Sequence, residues 1–345
     1  MESVDGTRMT WSVLTGRPLE PAATNVLDDF ADVTVATAYD TGDALLADID
    51  RFDAIIFNGL TLSREHVRRA TRLKVIASVG VGVDAVDVPA ATEQGIIVCN
   101  NPGANTRAVA EYTITSMLAV RRRLVQANRD MRAGIWEKYG YVGPEVEGQV
   151  MGVLGYGAIG RLVSELARRI GMRSVAYDPY VDDEAFADGV DPVDSVQALF
   201  ETADAVGVHV PLTDETRGLV GEAELRALGP DGVVVNAARG GIVDESALVD
   251  ALRTDAIWGA AVDVFEDEPV PTDHPLFECE NVIVSPHLAG STRESVPAKD
   301  RGAAENVRAV FDQRLPESTV NRDALCMWTA YDGTPPDDAP ESDPF

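Results

Sequence analysis

The stretch Gln149-Val-Met-Gly-Val-Leu-Gly-Tyr-Gly-Ala-Ile-Gly160, with Arg-Leu-Val-Ser-Glu-Leu-Ala-Arg-Arg-Ile170 behind it, decides the fold. An apolar run of strand length enters a glycine turn. The turn opens a segment in which Ile159, Leu162, Val163, Leu166 and Ile170 recur on one helical face. Strand, glycine turn and helix together form a dinucleotide-binding unit. Gly155 permits the tight turn, Gly157 lets a pyrophosphate approach the backbone, and Gly160 lets helix pack on strand. The helix N-terminus, opened by Ala158 and Ile159, faces the anion.

The helix stops at Gly171, a second strand follows, and Asp178 stands at its end, 18 residues beyond Gly160. A carboxylate there accepts hydrogen bonds from an adenosine ribose and repels a 2′-phosphate. Pro179-Tyr180 supplies no arginine to hold such a phosphate, so NAD is expected over NADP. The competing reading of Asp178 is a surface acid before a proline turn.

Outward from this unit, short apolar runs alternate with helix-period segments, the pattern of parallel strands joined by crossover helices, so the class is α/β. Strands are expected at residues 10–14, 54–57, 75–78 and 96–99, with a helix at 63–70. A second series begins at 150 and continues at 174–177, 205–210, 233–236, 260–264 and 282–285, which makes two sheets. One long helix is expected from 106 to 132, with Ala110, Ile114, Met117, Leu118 and Leu124 as its apolar stripe; it would link the domains and offer a homodimer face. A last helix is expected at 297–313 and a short segment at 315–325. Residues 1–103 and 291–325 would then form a substrate domain around an inserted dinucleotide domain at 104–290. Residues 326–345 are proline-rich and acidic without apolar periodicity, and are expected to be a disordered tail.

Of 345 residues 45% are apolar and 25% charged, an ordinary globular composition of about two domains. The net charge of −28 is not ordinary; it would repel phosphate backbones and anionic lipid, so neither nucleic acid nor membrane is an expected partner. Lys74, Lys138 and Lys299 are the only lysines among 29 basic residues. An acidic, lysine-poor surface suits concentrated salt, where screening removes self-repulsion. The acids are not confined to the tail, since residues 331–345 hold five acids and no base and −23 remains without them. Cys99, Cys279 and Cys326 have no paired spacing, Met1-Glu-Ser-Val-Asp-Gly6 shows neither a secretory n-region nor an h-region, and no apolar run reaches membrane length. A reducing, cytoplasmic setting with neither disulfide nor zinc is expected.

Three later strands end in chemistry-bearing residues. Asn236-Ala-Ala-Arg-Gly-Gly-Ile-Val-Asp-Glu245 puts Arg239 at a strand's carboxyl end, where open α/β sheets bind ligands. Ala260-Ala-Val-Asp-Val-Phe-Glu-Asp-Glu-Pro269 puts Asp263 near the end of the next strand and Glu268 in its loop, and Val282-Ile-Val-Ser-Pro-His-Leu-Ala-Gly290 puts His287 after a third. Taken singly these read as a loop salt-bridge donor, a solvated acid and a capping histidine. Taken together they supply what reduction of a 2-keto acid needs. An arginine holds carboxylate and polarises carbonyl, a histidine delivers a proton, and a carboxylate keeps that histidine charged.

On these residues the chain resembles the NAD-dependent D-isomer-specific 2-hydroxyacid dehydrogenases, a family that includes phosphoglycerate dehydrogenases and hydroxypyruvate reductases. The likeness spans most of residues 50–325. It implies a Rossmann domain inserted in a flavodoxin-like substrate domain, the two closing over NAD. It also implies Arg239 as the group that binds and polarises substrate, Glu268 as partner of His287, and His287 as general acid or base. Asp263, the His209-Val210-Pro211 loop, Ala237, Ala238, His287 and Gly290 would line the cofactor pocket. His209 is otherwise a satisfied core histidine. The loop Ser78-Val-Gly-Val-Gly-Val-Asp84 has glycines that leave amides free for an anion; by the resemblance Val79 and Gly80 grip the substrate carboxylate. Asn105-Thr106 is a weaker substrate candidate or a helix N-cap. His66 is expected to be solvated and His274 structural.

The resemblance thins at Asn58-Gly-Leu-Thr61, where phosphoglycerate dehydrogenases of this type carry an arginine and serine suited to phosphate. Phosphoglycerate dehydrogenase therefore stays an alternative, without the trailing regulatory domain. Leu60-Thr-Leu-Ser-Arg-Glu65, Ile97-Val-Cys-Asn100 and Val320-Asn-Arg-Asp-Ala-Leu325 are similar to the C-terminal-binding-protein branch, whose animal members use this scaffold as an NAD-sensing regulator. Those members keep the same arginine, glutamate and histidine.

Overall fold

The computed structural model describes residues 10–38, 42–58 and 60–322. The expected acidic tail at 326–345 and Cys326 lie outside them. The chain divides into two compact units, one of residues 1–105 with 292–345 and one of residues 106–291.

The first unit holds a five-stranded sheet of β1 (Trp11–Thr15), β2 (Ala31–Val35), β3 (Ala54–Phe57), β4 (Val75–Ser78) and β5 (Ile97–Cys99). All pairings are parallel in the order β2-β1-β3-β4-β5, the flavodoxin-like arrangement. Side chains alternate between two buried faces. Ala54 and Ile56 of β3 pack with Leu27 and with Ala303 and Val307 of the helix Ser295–Phe311, whereas Ile55 packs on the other face with Val67, Ala90 and Val98. That burial on both faces is why the strands read as unbroken apolar runs.

The second unit holds β6 (Val150–Leu154), β7 (Arg173–Tyr177), β8 (Val190–Pro192), β9 (Ala205–Val208), β10 (Val233–Asn236), β11 (Gly259–Val262) and β12 (Val282–Val284). Their order is β12-β11-β10-β9-β6-β7-β8, again all parallel. Strand order reverses between β6 and β9, so the crevice at the carboxyl ends of these two is the topological switch point of a Rossmann sheet. Leu154, Val206, Val208, Val234 and Val262 form the core on one face. Met151, Val153, Val233, Val235 and Ala261 form it on the other, with Met117 and Val163 from the helices Thr106–Arg121 and Ala158–Arg169.

The long helix expected at 106–132 is instead two helices, Thr106–Arg121 and Leu124–Arg132. Arg123 interrupts it in a left-handed conformation (φ 47°), with its guanidinium 4.3 Å from the centre of the Trp258 ring. Trp258 Nε1 donates to the Val120 carbonyl at 3.3 Å, and a Cβ on Gly143 would stand 1.8 Å from the Arg121 carbonyl oxygen, so distant segments pin the break. Consequently Ala110, Ile114 and Met117 enter the core, while Leu124 is 61% exposed.

Candidate active site

At the switch point, Gly155 (φ +94°) turns the chain so tightly that a Cβ there would lie 2.8 Å from the His209 carbonyl and 2.9 Å from Val210. The loops after β6 and β9 thus touch, and the His209 amide donates to the Leu154 carbonyl at 2.7 Å. A Cβ on Gly160 would meet the Gly155 carbonyl oxygen at 2.1 Å, so only glycine lets the helix Ala158–Arg169 sit against its strand. Around Gly157, by contrast, nothing lies within 4 Å of such a Cβ. No side chain caps this helix, which leaves its first amides facing that open space. Asp178 closes the loop from β7: Oδ2 accepts from the Tyr156 amide at 2.8 Å and Oδ1 from the Tyr180 amide at 3.0 Å. A carboxylate has acceptor capacity beyond these two bonds, and Asp178 is half-buried, so it can also accept from a ribose. Open amides, an anion-sized approach at Gly157 and an acceptor at Asp178 fit a dinucleotide.

His209 is not the satisfied core histidine of the alternative reading. Both ring nitrogens are buried without a hydrogen-bond partner, and burial pushes its pKa down to about 4. The ring is therefore neutral at ordinary pH.

The ends of β10, β11 and β12 are neighbours in the sheet, and the structure brings Arg239, Glu268 and His287 together there. The nearly buried Asn236 brackets the first turn: its Oδ1 accepts from the Ala238 amide at 3.1 Å and its Nδ2 donates to the Arg239 carbonyl at 2.9 Å. Gly240 then lets this turn press on the next. A Cβ there would fall 2.0 Å from the Phe265 carbonyl, so the Arg239 turn lies directly against the turn that carries Glu268. Glu268 Oε1 accepts from the Phe265 amide at 3.1 Å and Oε2 faces His287 Nδ1 at 2.7 Å. Because the carboxylate accepts, Nδ1 carries the proton and Nε2 is the ring atom left for exchange with a ligand. Burial opposes the Glu268 carboxylate, but the bonds from His287 and the Phe265 amide, with the His287 and Arg239 charges, outweigh it and hold its carboxyl below the usual range. The pair stays open to ligands, with side chains 50% and 38% exposed.

Some sequence candidates sit differently from expectation. Asp263 does not present its carboxylate to an open cofactor pocket. It is fully buried, and it accepts from Ser285 Oγ and from the amides of Leu288 and Ala289. The residues that engage it, Ser285 and through Ser285 Tyr112, were not singled out from sequence; their signal is only that Ser285 precedes the Pro286-His287 pair. The amides of Val79 and Gly80 are not free either. Val79 donates to the Phe57 carbonyl and Gly80 to Ser78 Oγ, each at 3.2 Å, because the loop continues the β3–β4 pairing by one residue and then folds back on its own serine. The amides of Val81 and Gly82, next along this loop, have no partner among the described residues. Asn105 is no side-chain cap, since its Oδ1 is buried without a partner. His274 is structural: Nε2 donates to Glu245 at 2.8 Å and Nδ1 accepts from the Leu276 amide. His66 is partly exposed and bonds to Ser63 Oγ at 2.7 Å. Ala237 and Gly290 lie on the turns after β10 and β12, Ile159 in the first helical turn, and Pro211 in the loop after β9. No group of three potential metal ligands occurs among the described residues.

Residues 114–289 match the family model for the D-isomer specific 2-hydroxyacid dehydrogenase, NAD binding domain. The D-3-phosphoglycerate dehydrogenase of Methanocaldococcus jannaschii is 40% identical over 311 residues, which are 90% of this chain and 59% of that protein. The glyoxylate reductase of Aeropyrum pernix is 37% identical over 324 residues, which are 91% of this chain and 96% of that protein. The crystal structure of the TT0316 protein from Thermus thermophilus superposes with a TM-score of 0.82 at 34% identity, covering 90% of this chain and 99% of that one. The chain spans little more than half the length of the phosphoglycerate dehydrogenases it matches. With the glycine turn at the switch point and the arginine, glutamate and histidine on adjacent strand ends, the chain belongs to the D-isomer specific 2-hydroxyacid dehydrogenases, and its second unit is that family's NAD-binding domain.

Proposed function

We propose that this protein interconverts a small D-2-hydroxy acid and its 2-keto acid. The observation that carries the reading is the 2.7 Å bond between His287 and Glu268 beside the Arg239 turn, at strand ends of the NAD-binding unit. Bound NAD supplies or accepts the hydride at C2. Arg239 holds the substrate carboxylate and draws charge from the carbonyl oxygen, and His287 Nε2 gives that oxygen its proton or takes it back. Glu268 fixes the imidazole tautomer and favours its charged form. Gly155, Gly157, Ala158, Ile159, Gly160 and Asp178 hold the dinucleotide, with the His209-Val210-Pro211 and Ala237-Ala238 turns and Gly290 lining it. Asp178 favours NAD over NADP. The amides of Val81 and Gly82 take the role expected of Val79 and Gly80 as a carboxylate grip.

A phosphorylated substrate fits less well. Asn58 stands where a phosphate-binding arginine would be needed, and its Oδ1 accepts from the Gly16 and Arg17 amides. Arg17 itself is held bidentately by the buried Asp300, at 2.9 and 2.7 Å, which neutralises much of the charge it could offer a phosphate.

A second copy of the chain is the proposed partner. Leu124, Met131, Ile135, Trp136, Tyr139 and Val142 are all exposed, Trp136 by 80%, which concentrates uncovered apolar surface on one short stretch. The homodimer face is thus assigned to residues 124–142 rather than to a continuous helix. The net charge of −28 with three lysines supports a halophilic protein. No helix among the described residues is long and apolar enough to cross a membrane, and a cytoplasmic setting is proposed from the family's metabolic chemistry.

The test is an assay of pyruvate, glyoxylate, hydroxypyruvate and phosphohydroxypyruvate with NADH and NADPH, at low and molar salt. Turnover of an unphosphorylated 2-keto acid with NADH, strongest in molar salt, is expected. Tight NADH binding without turnover of any of the four would favour the NAD-sensing alternative.

A further inference from the structure

His287 works from a backbone conformation that a non-glycine residue rarely adopts, φ 52°. Its amide donates to the carbonyls of Asp263 at 2.8 Å and Ser285 at 3.1 Å. The Asp263 carboxylate, completely buried, binds the same loop from beneath. Oδ1 accepts from Ser285 Oγ at 2.5 Å and from the Leu288 amide at 2.8 Å, and Oδ2 accepts from the Ala289 amide at 2.7 Å. Serine has one proton, and a carboxylate only accepts, so the Ser285 proton points at Asp263. The Tyr112 hydroxyl, 2.5 Å from Ser285 Oγ, must then be the donor to Ser285. Burial is the main influence pushing the Tyr112 phenol up, against the bonds with Ser285 and Ser116, so it keeps its proton.

We propose that Tyr112, Ser285 and Asp263 form a directional hydrogen-bonded clasp that holds His287 in register with Glu268, making all three positioning residues for the dehydrogenase reaction. The inference rests on the activity proposed above. A buried carboxylate is a poor choice for stability alone, because apolar residues of similar volume often serve as well. Its bonds here all converge on residues 285–289, the segment that presents the imidazole. All three residues of the clasp lie within the second unit. Tyr112 lies six residues after the entry at Thr106, and Ser285 six residues before the exit after Ser291.

The experiment compares Ser285→Ala, Ser285→Thr and Tyr112→Phe with the wild-type chain in kcat, KM, NADH affinity and pH profile. Ser285→Ala is expected to lower kcat roughly ten- to a hundred-fold, as misplacement of a reacting group does, while NADH affinity and keto-acid KM stay within about threefold. The acid limb of kcat moves to higher pH, because Glu268 loses part of the bond that holds its carboxyl down. Ser285→Thr restores both, and Tyr112→Phe gives the same changes in smaller measure. Wild-type kcat and pH profile in Ser285→Ala would overturn the clasp, as would a loss that falls equally on NADH affinity. If Ser285→Ala does not fold, a wild-type kcat and profile in Tyr112→Phe overturns it instead. A wild-type chain with no turnover defeats the activity reading, not this one. The clasp is then read from the 15N imidazole signals of His287, assigned by their loss in His287→Ala. They should be single in the wild type and Ser285→Thr and shifted or multiple in Ser285→Ala and Tyr112→Phe; identical spectra in all of them would contradict it.

Discussion

Residues 155–160 leave β6 through three glycines and residues 78–84 leave β4 through two, and both loops invite the same reading as a backbone cradle for an anion. In the loop after β6 the glycines are forced by close approach, at Gly155 against His209 and at Gly160 against Gly155, and the amides of the following helix are left uncapped. In the loop after β4, Gly80 has nothing within 4 Å of a would-be Cβ, and its amide already bonds to Ser78 Oγ. The glycine pattern announces a turn in both cases. Which amides remain free depends on where neighbouring strands and side chains put their acceptors, which no local pattern reveals.

The largest effect that should separate the loops is steric. Gly160→Val places carbon against the Gly155 carbonyl oxygen, backbone that cannot yield, so NADH affinity should fall at least about a hundred-fold in a fluorescence titration. Gly80→Ala should leave NADH affinity and keto-acid KM within about threefold of wild type. Equal sensitivity of the two sites would erase the distinction.

Gly240→Ala extends the comparison to the Arg239 and Glu268 turns. Its Cβ would collide with the Phe265 carbonyl and part the Arg239 turn from the Glu268 turn, so kcat should drop on the order of a hundred-fold while NADH affinity changes little. A smaller change is expected from Glu268→Gln, about tenfold in kcat. Here the sign of the pH effect is fixed: the Glu268 carboxyl is held below its usual range, so its bond to His287 persists as pH falls and is lost only when pH drops through that lowered value. The acid limb of the wild-type rate should lie below the ordinary carboxylate range and disappear in Glu268→Gln.

The smallest effect concerns the β9 side of the glycine turn. His209 titrates near 4 when folded against 6.5 when free, so the unfolded chain binds the proton first and the fold loses stability as pH falls from 6.5 toward 4. At pH 5 the loss is about 2 kcal/mol. His209→Phe should remove most of the difference between melting temperatures at pH 7 and pH 5; an unchanged difference would show that the ring is hydrated or paired.

The central strands were legible because each is buried on both faces and reads as an apolar run, as in Ala54-Ile-Ile-Phe57 and Val233-Val-Val-Asn236. The edge strands β2 and β8 were not. Ala31–Val35 is partly exposed along its length, and Val190–Pro192 has three residues and ends in a proline, so neither carries a two-sided core signal. The break at Arg123 escaped for another reason: it is set by Trp258, far along the chain. In the site, the arginine, glutamate and histidine were legible because strand ends in one sheet must converge. The inward turn of Asp263 was not, because it is fixed by amides of Leu288 and Ala289 and by a serine hydroxyl, none of which leaves a mark on the sequence around Asp263.

The most direct test of the account is steady-state NADH oxidation with glyoxylate or hydroxypyruvate by the wild-type chain and by His287→Gln, with NADH affinity measured in parallel. A fall in kcat of at least about a hundred-fold, with NADH still bound as tightly, is the predicted result. A His287→Gln protein that turns over within a few-fold of wild type would contradict it.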